Sequence, residues 1–195
     1  RVLVGLLVCA VSYMVMIGGL RPFLFWANRE WFGAADAKWT GLMAAQGAGA
    51  VIGAIVAGTF SRALLRRASA YTLTMITAVM EGVLHLSLVF CPAGATGAWF
   101  AMGILALAGI PEVISTATWF TVMQQRLSPE RQGLFLAFTA PLWDCAYALG
   151  VMSAGLHAGG VLALSPWWVV LALTATLPVV PLMIWDARRP VAAVG

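Results

Sequence analysis

The sequence predicts an all-α membrane protein of six transmembrane helices, and three observations carry that expectation. Six stretches are each long and apolar enough to cross a bilayer, which takes roughly 20 mostly apolar residues. Hydrophobic residues make up 62% of the 195-residue chain and charged residues only 9%, with a mean hydropathy of +0.94. One soluble core of this size could not hide that much apolar surface. The breaks between the stretches carry the punctuation of turns and loop charge.

Taken in order, the first helix is expected from Val2 to Asn28, with Arg21 and Pro22 toward its end. The chain starts at Arg1 without a Met or a short basic leader and cleavage site, so this run does not read as a signal peptide. It reads as part of something longer. The second helix runs from Trp39 to Ser61 and is rich in glycine; RALLRR at 62–67 closes it. The third runs from Ala68 to Cys91 and ends at CPAGATG, and the fourth from Ala98 to Gln124. QRLSPERQG at 125–133 separates it from a fifth helix over Gly133 to His157. There Ser128, Pro129 and Glu130 have the chemistry of an N-cap, a first-turn proline and a first-turn acid. Gly159, Gly160 and Pro166 introduce the sixth, which extends to Trp185. Gly49 and Gly53, with Gly58 beyond, permit close helix approach.

Charge sets the orientation. With six crossings, Arg1, Arg62, Arg66, Arg67, Arg126, Arg131, Arg188 and Arg189 fall on the side of the two termini. The other side has Arg29 and Lys38, with Arg21 near it. The positive-inside rule therefore predicts both termini in the cytoplasm. Trp26, Trp31, Trp39, Trp99, Trp167 and Trp168 gather near the outer ends, where indoles favour the interface. The net charge of +4 is spread over short loops and forms no basic stripe, which argues against nucleic acid as a partner. Cys9, Cys91 and Cys145 lack the spacing of a disulfide framework or a zinc site, so no metal and no cofactor are expected. Splitting the chain after the third helix gives two triplets that must be mutually inverted, an arrangement common among transporters.

Several motifs in chain order resemble the C-terminal half of a major facilitator superfamily transporter, most similar to its drug-efflux branch. GLMAAQGAGAVIGAIVAGTF, from Gly41 to Phe60, resembles the family's glycine-rich helix that precedes a basic cytoplasmic turn. Gly58, Arg66 and Arg67 match the glycine and closing basic pair of its loop signature, while Arg62 stands where the fuller signature has an acid. Pro129, Glu130, Arg131 and Gly133 are similar to a later cytoplasmic turn, with Leu134 in place of its second basic residue. The resemblance covers nearly the whole chain. It implies that these six helices are one of two bundles rocking about a central cavity in the cell (inner) membrane, with an N-terminal six-helix half as the missing partner.

Three acids stand inside apolar runs, where a lone charge on an isolated helix costs about 2.5 to 3.5 kcal/mol. At a rise of about 1.5 Å per residue, Glu81, Glu112 and Asp144 lie roughly 18, 20 and 18 Å into their helices, near mid-depth. A carboxyl group there suits proton coupling. His85, one turn after Glu81, could share a proton with it. Each has a structural alternative: Glu112 after Pro111 and Asp144 after Pro141 could accept bonds from backbone freed by proline, and Glu81 with His85 could be a satisfied pair on a helix that the resemblance makes peripheral. Arg21, Gln46, Thr116 and Trp119 are candidates to line a substrate cavity, although Arg21 could instead snorkel to the headgroups and membrane Thr hydroxyls commonly bond their own backbone.

No P-loop, GxGxxG, GxSxG or HExxH element occurs, so the sequence supports neither nucleotide-driven transport nor a familiar hydrolase. The expected function is secondary transport of small amphiphilic compounds, coupled to protons. A non-transporting six-helix scaffold or assembly protein is the alternative, and an intramembrane enzyme is the third reading.

Overall fold

The computed structural model describes residues 2–33 and 37–182, apart from the side chains of 37, 38, 60–62 and 64–67. Arg1, Arg188 and Arg189, and the side chains of Arg62, Arg66 and Arg67, therefore lie outside the described residues. The helices are α1 (Val2–Glu30), α2 (Ala37–Arg67), α3 (Ala70–Ser87), α4 (Ala95–Arg126), α5 (Pro129–Ala158) and α6 (Leu164–Thr176), with a 3-10 turn, Leu88–Phe90, after α3. Six helical segments are long and apolar enough to span a bilayer, and the described residues contain no strand. The chain is an all-α, six-helix membrane protein.

Local chemistry explains where the helices stop. Ser69 caps α3 by accepting a hydrogen bond from the Thr72 backbone N–H at 3.0 Å. Ser128 takes the extended N-cap conformation, Pro129 occupies the first turn and Glu130 follows it. The fifth helix thus begins at Pro129, four residues before the expected Gly133, because proline's fixed φ and missing N–H suit a first turn. Only Leu127 and Ser128 separate α4 from α5. The sixth helix is interrupted earlier than expected. Its α-helical run ends at Thr176, a turn covers 177–178, and helical backbone resumes over 179–182. Pro178 accounts for the break, since its ring clashes with the carbonyl four residues back and it donates no hydrogen bond.

Packing follows a simple rule. α2 lies on α4 and α5 on α1; α3 also lies on α4, α6 on α1, and α3 meets α6. Exchanging the triplet α1–α3 with α4–α6 reproduces the same pattern of neighbours. Small residues allow the closest approaches. A Cβ at Gly49 would run into the Ala106 carbonyl of α4, and one at Gly109 into the Gln46 carbonyl of α2. On the other side, Gly18 of α1 fits against the Tyr147 carbonyl of α5, and Gly150 against that of Val15. Gly53 belongs to the same α2–α4 contact, whereas Gly58 has open space around it.

The apolar core comes in two parts. Toward the C-terminal end of α1, Phe23 stacks on Trp168 at 4.2 Å, among Leu20, Leu24, Leu88, Leu105 and Trp167. Toward the N-terminal end of α1, Leu6, Cys9, Met75, Trp119, Val122 and Val179 form the second cluster. Along α1, α3 and α4 the boundary between them falls at Tyr13, Glu81 and Glu112. Polar side chains are concentrated where neither cluster is complete.

Candidate functional site

Glu112 is held from two neighbouring helices. The Tyr13 hydroxyl of α1 donates to Oε1 at 3.0 Å, and Gln46 Nε2 of α2 donates to Oε2 at 3.0 Å. Both carboxylate oxygens thus have side-chain partners, in place of the freed backbone that Pro111 suggested. The closeness of α2 to α4, set by Gly49 and Gly109, is what brings Gln46 within reach.

Two adjoining clefts meet at this carboxylate. The larger, about 310 Å³, is lined by Arg21, Gln46, Gly47, Tyr147 and Glu112 among others. The smaller, about 120 Å³, is lined by Cys9, Tyr13, Glu81, Glu112, Thr116, Trp119 and Trp143 among others. Both have α1 and α4 as their floor, while α2 and α5 supply the Gln46 and Tyr147 walls of the larger one. Arg21, Gln46, Thr116 and Trp119 therefore all line one cleft or the other. Arg21 shares the larger one with Glu112, so it lines the same space as the acid at the site's centre. Thr116 spends its hydroxyl on the Glu112 carbonyl at 3.0 Å. Trp119 is anchored through Nε1 to the Leu6 carbonyl at 3.0 Å, and its ring meets Phe120, Phe135 and Trp143.

Glu81 reaches the same site from α3. It is 2% exposed and lines the smaller cleft together with Tyr13 and Glu112. Its Oε1 has no hydrogen-bond partner. His85 lies one turn beyond, fully buried, but does not bond the Glu81 side chain. Its Nδ1 meets the Glu81 backbone carbonyl at 3.0 Å, and Nε2 is unpartnered. Trp168 of α6 donates to the His85 carbonyl at 2.7 Å. A buried polar atom left unpaired costs about 1–3 kcal/mol, so two of them on successive turns of one helix call for a reason.

Asp144 is placed differently. It is exposed on α5 and lines neither cleft. Gly58, within α2, and Pro129, Arg131 and Gly133, at the start of α5, line neither cleft, and all four are exposed. Among the described residues no group of three or more His, Cys, Asp or Glu side chains is arranged to hold a metal ion.

Sequence reasoning missed Tyr13 and Tyr147. Tyr13 had a readable signal: it lies about 17 Å into α1 at 1.5 Å per residue, toward the middle of its helix as Glu112 is in α4. No family model, curated protein or solved structure matches the chain.

Proposed function

We propose that this bundle belongs to a secondary transporter of the major facilitator type, which moves small amphiphilic compounds by alternating access in exchange for protons. Glu112 is the proton site. The observation that carries the reading is a carboxylate near mid-depth of a membrane helix, hydrogen-bonded through both oxygens and lining both clefts. An intramembrane acid is expensive and marks an ion or substrate path by default. Arg21 and Gln46 on one side, and Trp119 with Trp143 on the other, offer charged and aromatic contacts to a compound with polar and apolar ends.

Two further observations support it. The two helix triplets have equivalent neighbours, which supports reading them as an inverted repeat; in transporters built that way, substrate sites lie at the repeat interface near the midplane. The faces flanking the clefts are strongly apolar and exposed: Val51, Ile52 and Ile55 on α2, and Leu134, Phe138, Leu149 and Met152 on α5. Lipid covers part of this surface and an N-terminal six-helix half the rest. The protein resides in the cell (inner) membrane with both termini cytoplasmic.

The test is flux in liposomes carrying the complete transporter, this bundle together with an N-terminal six-helix half, under an imposed pH gradient, read with a panel of fluorescent amphiphilic dyes and a trapped pH indicator. Dye movement with counterflow of protons is expected, and its loss in Glu112→Gln. If the protein moves neither dye nor protons, the scaffold reading replaces this one. If Glu112→Gln leaves proton-coupled flux unchanged, Glu112 is not the proton site.

A further inference from the structure

The proton chemistry of this bundle does not end at Glu112. The Tyr13 hydroxyl, bonded to Glu112 of α4, shares the smaller cleft with a second carboxyl group, that of Glu81 of α3, which is almost wholly enclosed. Beyond Glu81, on the next turn of the same helix, is a second buried atom without a partner, His85 Nε2. Its chemistry is fixed by its other nitrogen. A backbone carbonyl can only accept, so Nδ1, 3.0 Å from the Glu81 carbonyl, carries the ring hydrogen. Nε2 is then a lone pair with no donor. Glu81 Oε1 is its chemical complement, since it becomes a donor as soon as the carboxyl group holds a proton. Side chains four residues apart on a helix are neighbours, so a rotamer change of Glu81 suffices to bring the two atoms together.

We propose that Glu112, Tyr13, Glu81 and His85 form a buried proton path that leads from the clefts across the floor of the bundle into α3. Tyr13 is a positioning residue that bridges the two carboxyl groups. The step balances without another reactant. Protonated Glu112 gives its proton to the Tyr13 oxygen while the Tyr13 hydroxyl gives its own to Glu81, so the phenol is unchanged and the negative charge moves from Glu81 to Glu112. Protonated Glu81 then passes the proton to His85 Nε2, leaving a carboxylate beside an imidazolium. The titratable groups facing this pair are few: Cys9 and Tyr13 from α1, and Glu112 from α4. The α6 segment packed against α3 has no titratable side chain from Leu164 to Leu182 and presents Trp168 and Thr176. The inference deepens the proton-coupled reading and rests on it for its purpose.

Infrared difference spectra of the protein in liposomes, taken through a pH titration in H2O and in D2O, read protonated carboxyl groups directly. Two titrating carboxyl bands are expected, one lost in Glu112→Gln and the other in Glu81→Gln. Loss of either shifts the midpoint of the other by about one pH unit or more, as coupled sites require. Tyr13→Phe keeps both bands and the direct charge coupling between the two carboxyl groups, but slows protonation of Glu81 after a pH jump by about tenfold or more. His85→Gln removes the imidazolium signal that rises as the Glu81 band falls. A Glu81→Gln spectrum identical to the wild type at every pH overturns the path, and so does a Tyr13→Phe protein in which Glu81 takes up its proton after a pH jump as fast as in the wild type. The Tyr13→Phe arm decides the matter if Glu81→Gln does not fold. If the bands behave as expected while no dye moves, transport fails and the path stands; if dye and protons move without a Glu81 band, the path fails and transport stands.

Discussion

At the scale of single residues, two acids that look alike in sequence have opposite surroundings. Glu112 has both oxygens hydrogen-bonded and lines two clefts; Asp144 is exposed and lines neither. Asp144→Asn is therefore expected to lower proton-coupled dye flux less than Glu112→Gln does, because Asp144 lines neither cleft. Glu112→Gln is expected to lower it at least tenfold, toward the roughly 10²-fold or more that positioned proton transfer contributes. Equal losses in the two variants would mean that the clefts do not define the proton site. Each acid was legible as an anomaly within an apolar run, but its partners were not. α5 is apolar nearly all round, so periodicity does not reveal which face turns inward, and a tyrosine in an apolar helix is ordinary until a carboxylate is found opposite it. Trp119 offers a stability check at the same scale. Trp119→Phe keeps most of the apolar ring and loses the bond to the Leu6 carbonyl, which should lower stability by about 1 kcal/mol, read as a lower unfolding temperature in detergent.

At the scale of elements, the helix pairs that build the clefts depend on backbone contact. Gly109 of α4 lies against the Gln46 carbonyl and Ala50 N of α2, so any side chain there has to push the helices apart. Gly109→Val should cost about 1–3 kcal/mol through overpacking, and it should also withdraw Gln46 from Glu112. Gly103, six residues away on the same helix, has open space where a Cβ would go. Gly103→Ala should be neutral or gain about 0.5–1 kcal/mol, since the substitution removes glycine's entropy cost in a helix. Thermal unfolding of both variants in one detergent separates the cases; equal shifts would remove the close-packing account. The existence and order of the helices were legible because a long apolar run has one solution in a membrane. Their ends were less so. The charged loop at 125–133 read as a break, yet proline and a first-turn acid make most of it the start of α5, and a single proline ends α6 early.

At the scale of the whole molecule, the arrangement of neighbours and the distribution of arginines bear on one question, which is how the bundle sits in the bilayer. The exchange of triplets α1–α3 and α4–α6 requires three crossings each, so the second triplet is inverted and the two termini share a side. The arginine excess in the sequence is the basis for proposing that this side is the cytoplasmic one. α5 spans 30 residues, about 45 Å at 1.5 Å per residue, so the segments at its two ends should lie on opposite faces. Ser128 and Val161 are exposed at these ends. In a background with Cys9, Cys91 and Cys145 replaced by serine, Val161→Cys should react with a membrane-impermeant maleimide on intact cells. Ser128→Cys should react only after the membrane is opened. The reverse pattern would invert the molecule and turn the clefts toward the other compartment at the same stage of the cycle. Reaction of both from one side would mean that α5 does not cross. The exchange of triplets could then not be an inversion, and the midplane position of Glu112, on which proton coupling rests, would lose its geometric basis.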